Sequence, residues 1–161
     1  VYFSPLIRAK QTAEIAFGHR DMPMSASPEL LERDFGLLDG MTLEEAKTKF
    51  PNIEDFYLGK IIETSVPGLE KIPVLQDRSV TAIRKLAYEN KGKTIALVGH
   101  LFWIKSALSK ILGVPFEEIQ KKSVANCSIT TLEAIFGKDV SFEVKDIGDK
   151  RHLQGLTKPK E

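Results

Sequence analysis

The sequence predicts an α/β fold, layered around a mostly parallel sheet and closed by a C-terminal antiparallel hairpin. Three observations predict it. Short apolar runs alternate with amphipathic stretches along most of the chain. The run over 94–98, Thr-Ile-Ala-Leu-Val, is continuously apolar, as suits a strand buried on both faces. Finally, 128–134 and 140–145 switch to alternation in twos around Gly137-Lys138-Asp139, the pattern of a hairpin.

The elements follow in order. Residues 1–3 read as a short apolar strand. Ser4 is placed to cap a helix with Pro5 at its first position, and Leu6, Ala9, Ala13, Ala16 and Phe17 recur at helical spacing up to Gly18. Residues 19–28, with Pro23 and Pro28, read as a loop, and 29–31 as a weak strand leading into Gly36 and Gly40. Thr42-Leu43-Glu44-Glu45 resembles a capping box opening a helix that ends near Phe50-Pro51. The stretch 52–72 has no clear period; Pro67-Gly68 marks a turn, and Phe56, Tyr57 and Leu58 are candidate pocket covers. From Ser79 to Asn90 the pattern is an amphipathic helix on Val80, Ile83, Leu86 and Ala87, stopped by Gly92. After 94–98, Gly99-His100 leads into a helix on Leu101, Ile104, Leu108, Ile111 and Leu112 that ends at Gly113, and a short helix follows Pro115. The segment 156–161 reads as a polar tail.

Composition narrows the class. The 161 residues amount to one domain at about 150 residues each. With 42% hydrophobic and 28% charged residues the chain can bury a sizeable core. Its formal charge of +1 lacks the basic footprint of a protein that coats nucleic acid. The single Cys127 forms no internal disulfide, and no Cys/His spacing suggests zinc. No apolar run is long enough for a membrane span and no signal peptide is legible, so the expectation is a cytoplasmic protein with no nucleic-acid or membrane partner.

Three candidate parallel strands are few for a sheet covered by helices, so the domain over 1–161 is expected to be N-terminally incomplete, with a strand and helix before Val1.

Open α/β sheets bind ligands beyond the carboxyl ends of their strands, and three polar residues fall there. Arg8 lies in the first turn of the helix after strand 1–3, where free amides already favour an anion. Glu32 directly follows 29–31. His100 follows the most apolar strand and opens a helix. An arginine and a histidine suit a phosphate's charge, and a glutamate suits proton transfer to a leaving oxygen. Each also has a plainer reading: Arg8 as a surface arginine, Glu32 as a solvated turn residue, His100 as a structural histidine. His19 reads as solvated, His152 as a pin for the C-terminal segment, and Cys127 as a small core residue. Of Phe102 and Trp103, one is expected in the core.

At this point the motifs resemble a known family. Ser-Pro-Leu-Ile-Arg-Ala-Lys-Gln-Thr-Ala at 4–13 is similar to a signature of the histidine phosphatase superfamily, the phosphoglycerate-mutase-like proteins. Leu-Leu-Glu-Arg-Asp-Phe-Gly-Leu-Leu-Asp-Gly at 30–40 resembles that family's acid segment, and Ala-Leu-Val-Gly-His at 96–100 its second-histidine segment. The ending around His152 is also similar. The resemblance implies a three-layer α/β/α sandwich and phosphoryl transfer that uses neither metal nor cofactor. It casts Arg8 as a phosphate-binding arginine, Glu32 as the general acid and His100 as the second histidine. A small phosphorylated substrate is implied.

The departures shape the expectation. None of the three histidines is preceded by Arg and followed by Gly, the setting of the family's nucleophile, and Leu101 stands where glycine usually follows the second histidine. The segment between Glu32 and His100 is short and lacks the paired arginines of the mutase branch. The reading is therefore a phosphomonoesterase acting through phosphohistidine in the intact protein, inactive as residues 1–161 alone. The alternatives are a non-catalytic phosphate-binding module and, more weakly, a mutase. The nucleophile strand is expected between 1–3 and 94–98. Edges left open by its absence would pair two copies into a homodimer.

Overall fold

The computed structural model describes residues 1–57 and 64–155. Strand β1 (Tyr2–Phe3) leads into helix α1 (Ile7–Phe17) and returns to strand β2 (Ser25–Ala26). Two single-turn helices over Pro28–Leu30 and Gly36–Leu38 precede α2 (Leu43–Lys49) and α3 (Ile53–Tyr57). The long α4 (Ile72–Glu89) then feeds β3 (Leu97–Val98) and α5 (Leu101–Leu112). After α6 (Phe116–Gln120) the chain closes with β4 (Ile129–Phe136) and β5 (Val140–Asp149). A turn over Arg151–Leu153 follows.

The three short strands form a parallel sheet in the order β2-β1-β3, with Tyr2 opposite Leu97 and Phe3 opposite Val98. The hairpin β4-β5 is antiparallel, so the α/β class and the terminal hairpin are as the sequence indicates. The expected position of a further strand is corrected. β1 and β3 are joined directly, Tyr2 N–H donating to Ala96 O at 2.8 Å and Ser4 N–H to Val98 O at 2.9 Å, so no strand fits between them. Among the described residues, β3 is paired on that side alone.

Several boundaries differ for physical reasons. The expected strand over 29–31 is a single helical turn, because Pro28 takes a first helical position. The strand lies earlier, at Ser25–Ala26, inside the expected loop; both residues are exposed, so they give no apolar signal. Helix α1 starts at Ile7 with Leu6 as its N-cap, because Ser4 continues the β1 ladder. Helix α4 begins seven residues before Ser79, with Pro73 tolerated in its first turn. The 94–98 segment is narrower than expected: only Leu97–Val98 is strand, and it is half-buried. The capping box at Thr42 is present, Thr42 Oγ1 and the Glu45 carboxylate serving each other's backbone amides. Cys127 is exposed at φ 59°, outside the core. Leu58 and the 156–161 tail fall outside the described residues.

Two hydrophobic clusters hold the fold. One joins α4, α5 and the sheet through Leu30, Leu75, Ala82, Ile83, Trp103 and Ala107, with Leu132 and Phe142 of the hairpin packed on it. The other gathers Leu38, Ala46, Ile53, Phe56, Val66 and Leu69 under the α2–α3 segment. Phe35 meets both, edge-on to Phe56 at 6.3 Å and to Phe102 at 5.5 Å. The loop bearing Glu32 is thus held between the clusters.

Candidate functional site at the carboxyl edge of the sheet

Because β1 and β3 are neighbouring parallel strands, the chain leaves both at the same edge and turns into α1 and α5. Two helix N-termini open there. Helix α1 has no side-chain cap and no acid in its first turn, so its positive end is not neutralised locally. Arg8, the second residue of α1, is exposed. Its guanidinium has no hydrogen bond or ion pair among the described residues.

His100 is the N-cap of α5 and is only 7% exposed. Its Nε2 lies 2.8 Å from Oγ of Ser4, which is wholly buried at the end of β1. Burial, and secondarily the Arg8 charge, push His100 down from 6.5 to about 4. The ring is therefore neutral at physiological pH, and Arg8 is close enough for its charge to be felt there.

Glu32 approaches the same helix end. Its Oε1 accepts the N–H of Trp103 at 3.0 Å and of Arg33 at 2.9 Å, and its Oε2 accepts the N–H of Phe102 at 3.2 Å. The carboxylate thus occupies the anion-attracting amides at the start of α5. It is not paired with Arg8. Leu101, between His100 and those amides, is 42% exposed, so its side chain points away from the core.

The structure brings Glu32 and His100 to one helix N-terminus, with Arg8 on the neighbouring helix. Two contributors were not legible as site residues. Ser4 carried only a capping signal. Arg33, 2% exposed, donates from Nε to Glu70 O at 2.8 Å and lies over the rings of Phe56 and Phe102 at 5.7 and 5.5 Å. His19 is exposed, and His152 Nε2 lies 2.9 Å from Cys127 O, so it ties the C-terminal segment down. Trp103 is core and Phe102 half-buried. A separate cavity of about 460 Å³, against α4, is lined by Glu29, Asp77 and Arg78 among others and includes neither Arg8 nor His100. No described helix is long and apolar enough to cross a membrane.

The chain is similar in sequence and in fold to known proteins. The uncharacterized phosphatase PhoE of Bacillus subtilis (strain 168) is 30% identical over 155 residues, covering 96% of this chain and 72% of that protein. The solved structure of Bacillus stearothermophilus YhfR superposes with a TM-score of 0.82 at 24% identity, over 95% of this chain and 75% of that one. The phosphoserine phosphatase of Entamoeba histolytica, solved in complex with 3-phosphoglyceric acid, gives a TM-score of 0.74 at 27% identity, over 94% and 74% of the two chains. Residues 1–146 match the model of the histidine phosphatase superfamily (branch 1), and the chain belongs to that family.

Proposed function

We propose that this chain carries the phosphate-holding and proton-donating part of a phosphomonoesterase that acts through a phosphohistidine. One observation carries the reading: a neutral, buried His100 and an Arg8 with no counter-ion among the described residues stand at adjacent strand ends, while the nearby Glu32 carboxyl group is held by backbone amides. A cation left unpaired beside a neutral imidazole suits a phosphate dianion. Arg8 and His100 hold the equatorial oxygens. A histidine supplied from outside residues 1–161 attacks phosphorus, the bond to the leaving alcohol breaks, and Glu32, entering this step as the carboxylic acid, gives that oxygen its proton and becomes the carboxylate. Water then attacks the phosphohistidine with Glu32 taking back a proton, and inorganic phosphate leaves. The 3-phosphoglyceric acid bound by the Entamoeba histolytica enzyme supports a small phosphorylated substrate.

A second reading, a phosphate-binding module without turnover, is favoured by the settings of His19, His100 and His152, none of which has Arg before it and Gly after it. Titrating inorganic phosphate into the chain by calorimetry tests what the two share: binding is expected, and Arg8→Ala should abolish it. Hydrolysis of p-nitrophenyl phosphate separates them. Residues 1–161 alone should not turn over, and the chain extended upstream in its reading frame should. Turnover by 1–161 alone overturns the enzyme reading as stated; phosphate binding with no turnover after extension establishes the module.

A further inference from the structure

We propose that Ser4 is a positioning residue that fixes the tautomer of His100, so that the imidazole offers an N–H from Nδ1 to an incoming anion.

The argument is an accounting of protons. A serine hydroxyl has one proton to donate and two lone pairs to accept with. Ser4 is 0% exposed, so water cannot serve it. Its backbone N–H is fixed on Val98 O, which leaves the side chain beside the end of β3 and the start of α5. Among the described residues its Oγ has two neighbours. Leu6 N–H donates to it at 3.4 Å, using one lone pair. The other is Nε2 of His100 at 2.8 Å. The hydroxyl proton therefore has a single acceptor in reach, and that acceptor is Nε2.

His100 is neutral, so one ring nitrogen carries a hydrogen and the other a lone pair. If Nε2 held the hydrogen, it would donate to Ser4 and the serine's own proton would be sealed in with no acceptor, a costly state for a buried donor. With the lone pair on Nε2 every group is satisfied, and the hydrogen sits on Nδ1. Nδ1 itself has no partner among the described residues. Among the described residues the side-chain polar atoms fully sealed from solvent without a partner are Ser106 Oγ and Ser128 Oγ, so Nδ1 is not fully sealed. An unpartnered Nδ1–H near Arg8 attracts an anion; an unpartnered lone pair would repel it. The consequence for anion binding rests on the phosphate-site reading above. The tautomer does not.

The test is long-range ¹H–¹⁵N correlation spectroscopy on the uniformly ¹⁵N-labelled chain at neutral pH, with His100→Gln to assign the ring signals. The expected spectrum shows a hydrogen-bearing Nδ1 and a lone-pair Nε2. Ser4→Ala should lose that preference and weaken the binding of inorganic phosphate by about tenfold, the worth of one misdirected hydrogen bond. A wild-type ring with its hydrogen on Nε2 overturns the proposal, and so does a Ser4→Ala ring that keeps it on Nδ1. The wild-type spectrum decides even if Ser4→Ala does not fold. If the tautomer is as expected but phosphate binds neither form, the phosphate-site reading fails and the role of Ser4 in setting the ring stands.

Discussion

Arg78 grips Glu70 at two points, Nε to Oε1 at 2.7 Å and Nη2 to Oε2 at 3.0 Å. The same guanidinium donates to the carbonyls of Leu31 at 2.8 Å and Glu32 at 2.9 Å. Glu70 in turn accepts the N–H of Asp34 on Oε2 and Arg33 Nε on its carbonyl. One ion pair thus fastens the acid loop to α4 from both sides. The planar guanidinium makes this possible, because it serves a carboxylate and several carbonyls at once.

Truncating Arg78 therefore does more than remove a charge. Arg78→Ala leaves Glu70 without its cation and two loop carbonyls without a donor, in a pair only 30% and 12% exposed. Equilibrium urea unfolding should show a loss of about 2–4 kcal/mol. Arg78→Lys should recover less than half, since an ammonium cannot reproduce the two-point grip. A loss for Arg78→Ala below about 0.5 kcal/mol would show the network to be ornamental.

Glu32 allows structural and chemical roles to be separated. Its carboxylate holds the Phe102 and Trp103 amides at the start of α5. Glu32→Ala should cost about 1 kcal/mol as a lost helix cap. Glu32→Gln keeps one acceptor oxygen and should cost roughly half of that. In the upstream-extended protein, both variants should fall in kcat with p-nitrophenyl phosphate by about 10²–10⁴-fold, because neither can transfer a proton. A Glu32→Gln enzyme of near wild-type kcat would remove Glu32 from proton transfer.

The sequence carries those parts of the fold whose cause is local. The capping box at Thr42 is written in four consecutive residues and is present as read. The hairpin announces itself by alternation, and Leu132 and Phe142 do reach the core. Strand β2 could not be read this way, because its residues are exposed and it is held by backbone alone, Ser25 N–H on Val1 O and Ser27 N–H on Phe3 O. Arg8, Glu32 and His100 were legible because each follows a strand or loop at the edge where such folds bind ligands. Ser4 and Arg78 were not. Their partners lie 96 and up to 49 residues away, and no local pattern records that.

His100 gives the pH dependence its sign. Its folded value, about 4, lies below the unfolded 6.5, so between those values the unfolded chain binds more protons than the folded one. Its contribution to stability is whole above about pH 6.5 and is lost as pH falls toward 4. His100→Gln should flatten the stability curve across that window in urea unfolding followed at several pH values. An unchanged slope would mean that His100 is not held neutral in the folded protein.

Gly36 and Gly40 follow Glu32 in the acid segment, and both have positive φ, +58° and +79°. They share a backbone preference but not their surroundings. A Cβ at Gly40 would meet nothing within 4 Å. At Gly36 it would land on the backbone of Pro67, Gly68 and Leu69, where the Leu37 N–H also bonds Pro67 O at 3.1 Å. Gly40→Ala should therefore cost only the left-handed penalty, about 1–2 kcal/mol. Gly36→Ala adds overlap with main chain that cannot rotate aside, and should cost at least about 1 kcal/mol more. That extra strain falls on the contact between the Glu32 loop and the segment leading to Glu70. In the extended protein, Gly36→Ala should accordingly lower kcat where Gly40→Ala does not. Equal losses of stability from the two substitutions would show that the Gly36–Pro67 approach yields freely and plays no part in setting the loop.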